Sequence, residues 1–343
     1  MDAFDYTQIA YCSSRLVGLE VELDSGSTPF RAPTELPEWE ATRDRSLSNG
    51  MEYVLTPALP YNRVLPAIKN FDDRVTAART NITSRGSLHV HVQAHDMSPT
   101  QAHNLCRLYS RFQADIDLLV ADSRKSNRNH TFCKPLPVAL TVMQWGNMFN
   151  WQSKVETRQA AKRGNRYWTV NCQTMSIVDP ALRSVEFRQQ SATRKAANIY
   201  GWVSLCVVLV ELSRTSDVNG IPPRMTLAEL LQEYPAASGV AEWVQWRSQY
   251  LSQTPTDALI QQAVGVLRSY HGIHHVSRHL NVPLPVAKAV CEAGRARGLL
   301  VAEGLRYRAS APLPRQNSLT QLQEENLRLR RLLMERREPV ASS

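Results

Sequence analysis

Five short segments before residue 190 alternate apolar and polar side chains, and that alternation confines the N-terminal part of the chain to a sheet with one buried and one polar face. In Leu16–Leu23, Val17, Leu19, Val21 and Leu23 point one way while Glu20 and Glu22 point the other, because strand side chains repeat with period two. Met51–Leu55 sets Met51, Tyr53 and Leu55 against Glu52, and Leu88–Val92 sets Leu88, Val90 and Val92 against His89 and His91. Val185–Gln189 opposes Val185 and Phe187 to Glu186 and Arg188; Tyr167–Cys172 opposes Trp168, Val170 and Cys172 to Thr169 and Asn171. Helical patterns fill the intervals. Ser98-Pro99 is an N-cap followed by a first-turn proline ahead of Leu105, Leu108, Phe112, Ile116 and Leu119. Val64 to Val75 carries a similar stripe, and Arg194 to Leu212 reads as a largely buried helix. The expected class is α+β, an antiparallel sheet with flanking helices.

The chain has 343 residues, enough for about two domains. With 43% hydrophobic and 21% charged residues, wholesale disorder is excluded. The longest apolar run, Tyr200–Leu212, falls short of the ~20 residues of a bilayer-crossing helix, and the first residues lack a signal-peptide pattern. The six cysteines are scattered without a CxxC pair, which fits reduced thiols and a cytoplasmic setting rather than a disulfide framework or structural zinc. The net charge of +9 is uneven: residues 1–256 hold 27 basic and 24 acidic groups, 257–315 hold 8 and 3, and 316–343 hold 5 and 4. Linker-like IPPRM and SQTPT lie within 219–256. The expected organisation is a sheet domain over 1–215, a connecting helical segment over 216–256, a small module over 257–315, and a helical tail over 316–343.

A single strand with a polar face is most simply a sheet wetted on one side. Four such strands together present Glu20, Glu22, Glu52, Glu186, His89, His91 and Arg188, without one lysine. Clustered carboxylates repel unless a hard cation joins them, and Mg2+ or Mn2+ prefers oxygen donors. An arginine two residues from Glu186 suits a phosphate oxygen.

The order of motifs is itself distinctive: G-L-E-V-E at Gly18–Glu22, W-E-A-T-R-D-R-S-L at Trp39–Leu47, G-M-E-Y-V-L-T-P at Gly50–Pro57, L-H-V-H-V at Leu88–Val92, S-R-K-S-N at Ser123–Asn127, R-Y-W-T-V-N at Arg166–Asn171 and V-E-F-R at Val185–Arg188. In this order the chain resembles the amidoligase family, within the carboxylate–amine ligase superfamily that includes glutamine synthetase and glutamate–cysteine ligase. The resemblance covers roughly the first 210 residues and implies a sheet of the glutamine synthetase/glutamate–cysteine ligase type. It also implies an ATP-dependent ligase, with Mg2+ or Mn2+, that activates a carboxylate as an acyl phosphate for attack by an amine. By the same resemblance Glu20 and Glu22 ligate two separate metal ions, Glu186 and His89 ligate the ion bridging the phosphates, and Glu52 is a further ligand. His91 faces the phosphates and Arg188 stabilises the transferring phosphoryl group. Asp44 lies near the amine or metal site, while Arg124, Asn127, Arg166 and Asn171 bind nucleotide or a substrate carboxylate. Two positions depart from the family pattern: Ser87 stands where glycine or cysteine is expected, and Thr56 replaces serine before Pro57. His103, His130, Lys125 and Arg128 receive no role.

Residues 257–309 fit a winged-helix pattern, with helices over Asp257–Tyr270, Ile273–Leu280 and Pro285 to about Gly298, then a hairpin from Leu299 to Arg308. Lys288 and Arg295 share a face of the third helix, as in a recognition helix meeting phosphates; winged helices also serve as protein-contact modules. His271, His274, His275 and His279 read as a polar helix face, since Gly272 interrupts the zinc-like spacing. Leu319, Leu322, Leu329 and Leu333 with Asn326 follow a heptad behind a Ser318–Gln321 capping box, fitting either a homodimerising helix or a solvated one. The alternative function is therefore a DNA-associated regulator whose ligase-like part is inactive or senses nucleotide.

Overall fold

Alternation in the first strand decides the layering. The computed structural model describes residues 4–309 apart from 26–29, 31–32, 34, 45, 78–82, 84, 127–132, 138–139, 150, 152–154, 158–166, 216–217, 253–256, 268–270, 281–283, 297–298 and 304–305. Strand β1 (Leu16–Asp24) buries Val17, Leu19, Val21 and Leu23 completely. Each contributes about 1.5–3 kcal/mol by leaving water, and a slip of one residue would turn them all to the other face. Around β1 an antiparallel sheet assembles in the order β2-β3-β1-β5-β7-β6, with β4 pairing the start of β1. These strands are β2 (Trp39–Thr42), β3 (Gly50–Leu55), β4 (Leu59–Pro60), β5 (Ser87–Gln93), β6 (Val170–Asn171) and β7 (Ser184–Ser191). The class is α+β, as expected.

Helices cover the apolar face. Helix α1 (Tyr61–Ala77) sets Phe71 against Trp39 and Tyr53, with ring centroids 4.7 and 5.3 Å apart, and the Trp39 indole donates to the Ala67 carbonyl at 3.2 Å. Helix α2 (Pro99–Arg111) starts at the expected Ser98 cap, completed by a reciprocal bond with Gln101. Its Tyr109 hydroxyl donates to Gln189 of β7 at 2.8 Å. The α2 stripe breaks at Phe112, and α3 (Gln113–Asp117) carries it on. A short α4 spans Val142–Met148.

The apolar run around Tyr200 lies in α5 (Ala196–Thr215), which starts two residues later and ends three residues later than the Arg194–Leu212 pattern. At 20 residues it is long and apolar enough to cross a membrane, yet 83% of its most apolar window is buried inside the protein, as in a core helix. Helix α6 (Leu227–Gln232) and helix α7 (Ser238–Ser252) follow. Arg247 of α7, itself buried, donates to the Leu119 carbonyl and the Asn198 side chain at 3.1 and 3.2 Å, and burial pulls its guanidinium down to about 10.

Arg15, just before β1, is 4% exposed and donates to Glu211 at 2.6 Å, to Asp96 at 2.9 Å and to the Gln93 carbonyl at 2.6 Å. Arg214 closes the network on both acids at 2.8 Å. Removing the guanidinium leaves partly buried carboxylates without their main partner, so Arg15→Ala is expected to cost about 2–3 kcal/mol at neutral pH. Burial raises the pKa of Asp96, but Arg15 and Arg214 outweigh it and hold the carboxyl below its ordinary value of 3.8. A depressed carboxylate stabilises above its unfolded pKa and loses that contribution as pH falls through the folded one. Urea titrations should therefore show the Arg15→Ala deficit in full at pH 7 and shrinking below pH 3.8; a deficit independent of pH contradicts this account.

Contact density divides the chain into two units, 1–252 and 253–343. The described part of the second unit has α8 (Asp257–Val266), β8 (His271–Gly272), α9 (Ile273–Leu280), α10 (Leu284–Ala296), β9 (Leu300–Glu303) and β10 (Arg306–Ala309). Its sheet runs β8-β10-β9, and its own core gathers Ile260, Val264, Leu267, Val276, Val290 and Leu300. The first helix ends four residues earlier than its pattern suggests, and β8 had no sequence signal. The heptad-like stretch 316–343 lies outside the described residues.

Candidate active site

With the apolar face committed to the helices, the opposite face of the sheet collects the charged side chains, and strand register decides which of them meet. Glu20 pairs across the ladder with His89, Glu22 with Glu52, His91 with Glu186, and Glu186 with Asn171. Between Leu88 and Val90 the β5–β7 register shifts so that Arg188 and Gln189 both fall opposite His89. Such a bulge re-aims side chains at a functional edge.

Two groups of possible metal-ligating atoms result. Atoms of Glu20, His91 and Glu186 lie within 4.8 Å of one another, and so do atoms of Glu22, Asp44 and Glu52. The imidazole Nδ1 of His89 borders the first group, 3.0 Å from Glu20 and 3.8 Å from Glu186. His91 Nε2 sits 3.2 Å from Glu20, without hydrogen-bond alignment. Thus Glu20 and Glu22, neighbours on one strand face, serve different groups, and His91 joins the first group directly. In the second group Asp44 is oriented by the Ser46 amide, which donates to it at 2.7 Å.

The electrostatics follow from burial and neighbours. Burial alone would raise the Glu20 carboxyl, but His91 and His89 overcome this and hold it far below the ordinary range. Glu186 is likewise lowered despite burial, by His91, Arg188 and His89 and against Glu20. Burial works against a charged His91, yet Glu20 and Glu186 raise its pKa above the usual value. Arg188, nine-tenths buried, pairs with Glu186 and lies 5.7 Å from the centre of the Tyr167 ring. Two carboxylates with oxygens no more than 4.8 Å apart repel by roughly 3 kcal/mol or more at an effective dielectric of about 20. A three-carboxylate group therefore favours a hard divalent cation, and both donor sets fit Mg2+ or Mn2+.

The remaining sequence candidates divide. Arg124 is buried, its Nη2 donating to the carbonyls of Gly86 and Arg85 at 2.8 and 3.2 Å, while its buried Nε has no hydrogen-bond partner among the described residues. Burial lowers its pKa, and Glu22 is among the nearby charges that oppose this. Asn171 has both ends of its amide engaged: it donates to Glu186 at 2.9 Å and accepts from the Gln173 amide at 3.0 Å, so it positions Glu186. Asn127 and Arg166 lie outside the described residues. Ser87 was missed. Its amide and hydroxyl both donate to Glu22, at 3.0 and 2.5 Å, and the hydroxyl lies 2.9 Å from His89. Its parity with His89 and His91 was the available signal.

The site is thus carried by an antiparallel sheet flanked by helices, with acidic groups gathered on its polar face. Residues 7–210 match a family model described as "Putative amidoligase enzyme", and the chain belongs to that family. Membership points to ligase activity. No curated protein matches the chain.

Proposed function

We propose that the protein is an ATP-dependent carboxylate–amine ligase whose polar sheet face, of the glutamine synthetase/glutamate–cysteine ligase type, holds two divalent cations. The observation that carries this reading is the convergence of Glu20, His91 and Glu186 beside Glu22, Asp44 and Glu52, in a chain of the amidoligase family. The cations, Mg2+ or Mn2+, neutralise triphosphate and substrate carboxylate so that two anions can meet. Glu20, Glu186, His91 and His89 form one donor set; Glu22, Asp44 and Glu52 form the other. Arg188 is placed beside Glu186 to stabilise charge on the transferring phosphoryl group. Arg124, whose buried Nε is unpaired among the described residues, is suited to an anionic oxygen of nucleotide or acid. A substrate carboxylate oxygen attacks the γ-phosphorus and ADP leaves; the amine nitrogen then attacks the acyl carbon, phosphate leaves, and the nitrogen gives up a proton. A cytoplasmic setting supplies both nucleotide and Mg2+.

The full chain incubated with Mg2+, ATP and a pool of cellular metabolites is expected to release ADP and to yield a product with the mass of an acid plus an amine less water. ADP release unaffected by chelating the cation contradicts the reading.

A second reading concerns the C-terminal unit. Helix, short strand, two helices and a hairpin occur in the order of a winged helix, and 257–315 is rich in basic residues. We infer that this module brings the ligase to a nucleic-acid or protein partner, and that 316–343 pairs two copies. Binding of duplex DNA that weakens steeply with salt supports the nucleic-acid form; absence of binding at low salt removes it.

A further inference from the structure

We infer that Ser87 is the positioning residue that makes Nδ1 of His89 a cation donor and ties the two acidic groups together. The inference rests on the ligase reading above. Ser87 is 2% exposed at the start of β5, and its backbone amide and hydroxyl both reach the same Glu22 oxygen, at 3.0 and 2.5 Å. A hydroxyl has one proton to give. A carboxylate can only accept, so at this separation the proton points to Glu22, and Ser87 Oγ must accept from His89 Nε2 at 2.9 Å. That fixes the proton of a neutral imidazole on Nε2 and leaves a lone pair on Nδ1. Nδ1 faces Glu20 Oε2 at 3.0 Å and Glu186 Oε1 at 3.8 Å. Without a cation, Nδ1 carries a proton and donates it to Glu20 Oε2, while Glu186 Oε1 also pairs with Arg188; a divalent cation among these atoms takes the place of that Nδ1 proton. A ligating histidine usually gives its other N–H to such an outer partner, which sets the tautomer and the ring orientation. Here the outer partner is a serine whose own proton ends on Glu22, a member of the second acidic group, so one relay spans both groups.

The test uses the full chain with 15N-labelled histidine imidazoles, the His89 signal being identified by its loss in His89→Gln. In the Mg2+-loaded protein His89 is expected to carry its proton on Nε2. In water-proton relaxation titrations with Mn2+ alone, Ser87→Ala is expected to bind about 10- to 100-fold more weakly. A proton on Nδ1 in the loaded wild-type protein overturns the inference, and this measurement stands even if Ser87→Ala does not fold. Unchanged Mn2+ affinity in folded Ser87→Ala also overturns it. A wild-type protein that takes up no Mn2+ overturns the cation reading itself, and this inference with it.

Discussion

Glu186→Gln is expected to lower ligase turnover by at least about 100-fold while leaving the protein folded. Glutamine keeps the shape of the side chain and one oxygen for Asn171, which now donates to Glu186 at 2.9 Å. What it removes is the charge that pairs with Arg188 and that, in the proposed reading, would share a cation with Glu20 and His91, whose ligand atoms lie within 4.8 Å of its own. The effects on folding oppose one another, since a buried guanidinium loses its carboxylate while Glu20 loses a like-charged neighbour. The apolar face is untouched: Val185 and Phe187, on either side of Glu186, are fully buried on the helix side of the sheet. A melting curve close to that of the wild type, together with absent ADP release and weakened Mn2+ uptake, is the expected pattern. Full turnover in the folded variant would remove Glu186 from the machinery.

Trp243→Ala is expected to cost about 3–5 kcal/mol, a fall in melting temperature of roughly 6–20 °C for a unit of this size. Trp243 is completely buried in α7 and stands so close to α5 that a Cβ on Gly201 would lie 2.2 Å from its ring. Gly201 is therefore the residue that lets the two helices approach, which explains a glycine inside a helix despite its cost of about 1 kcal/mol relative to alanine. Gly201→Ala alone should destabilise by about 1–3 kcal/mol through overpacking. In the Trp243→Ala background the same substitution fills vacated space and improves helix propensity, so its sign should reverse. Thermal or urea denaturation of the two single variants and the double variant measures this coupling; additive effects would contradict the packing described.

The charged face was legible because burying Val17, Leu19, Val21, Val90, Val185 and Phe187 leaves their neighbours only one direction to point. The same arithmetic places Ser87 beside His89 and His91, but a hydroxyl without charge stood out only as a departure from the family pattern. Which acids share a group was not legible. Glu20 and Glu22 differ by one pleat, and their separation into two groups depends on long-range register, with β3 on one side and β5 on the other. Arg124 was named only through its motif, and only the folded chain sets its guanidinium on the Gly86 carbonyl. In the ion network of Arg15, Asp96, Glu211 and Arg214, the pairs Arg15–Asp96, Arg15–Glu211 and Asp96–Arg214 join positions up to 196 apart and leave no local signal. The short β2 was visible only as a motif, since four residues are too few for alternation to decide, whereas alternation over Tyr167–Cys172 marked β6, which pairs only at Val170–Asn171.

Anomalous scattering from crystals soaked in Mn2+ tests the central claim most directly. Two peaks are expected on the polar face of the sheet, one against Glu20, Glu186 and His91 and the other against Glu22, Asp44 and Glu52. Crystals that bind the ion elsewhere, or leave both groups bare at millimolar Mn2+, would contradict the account.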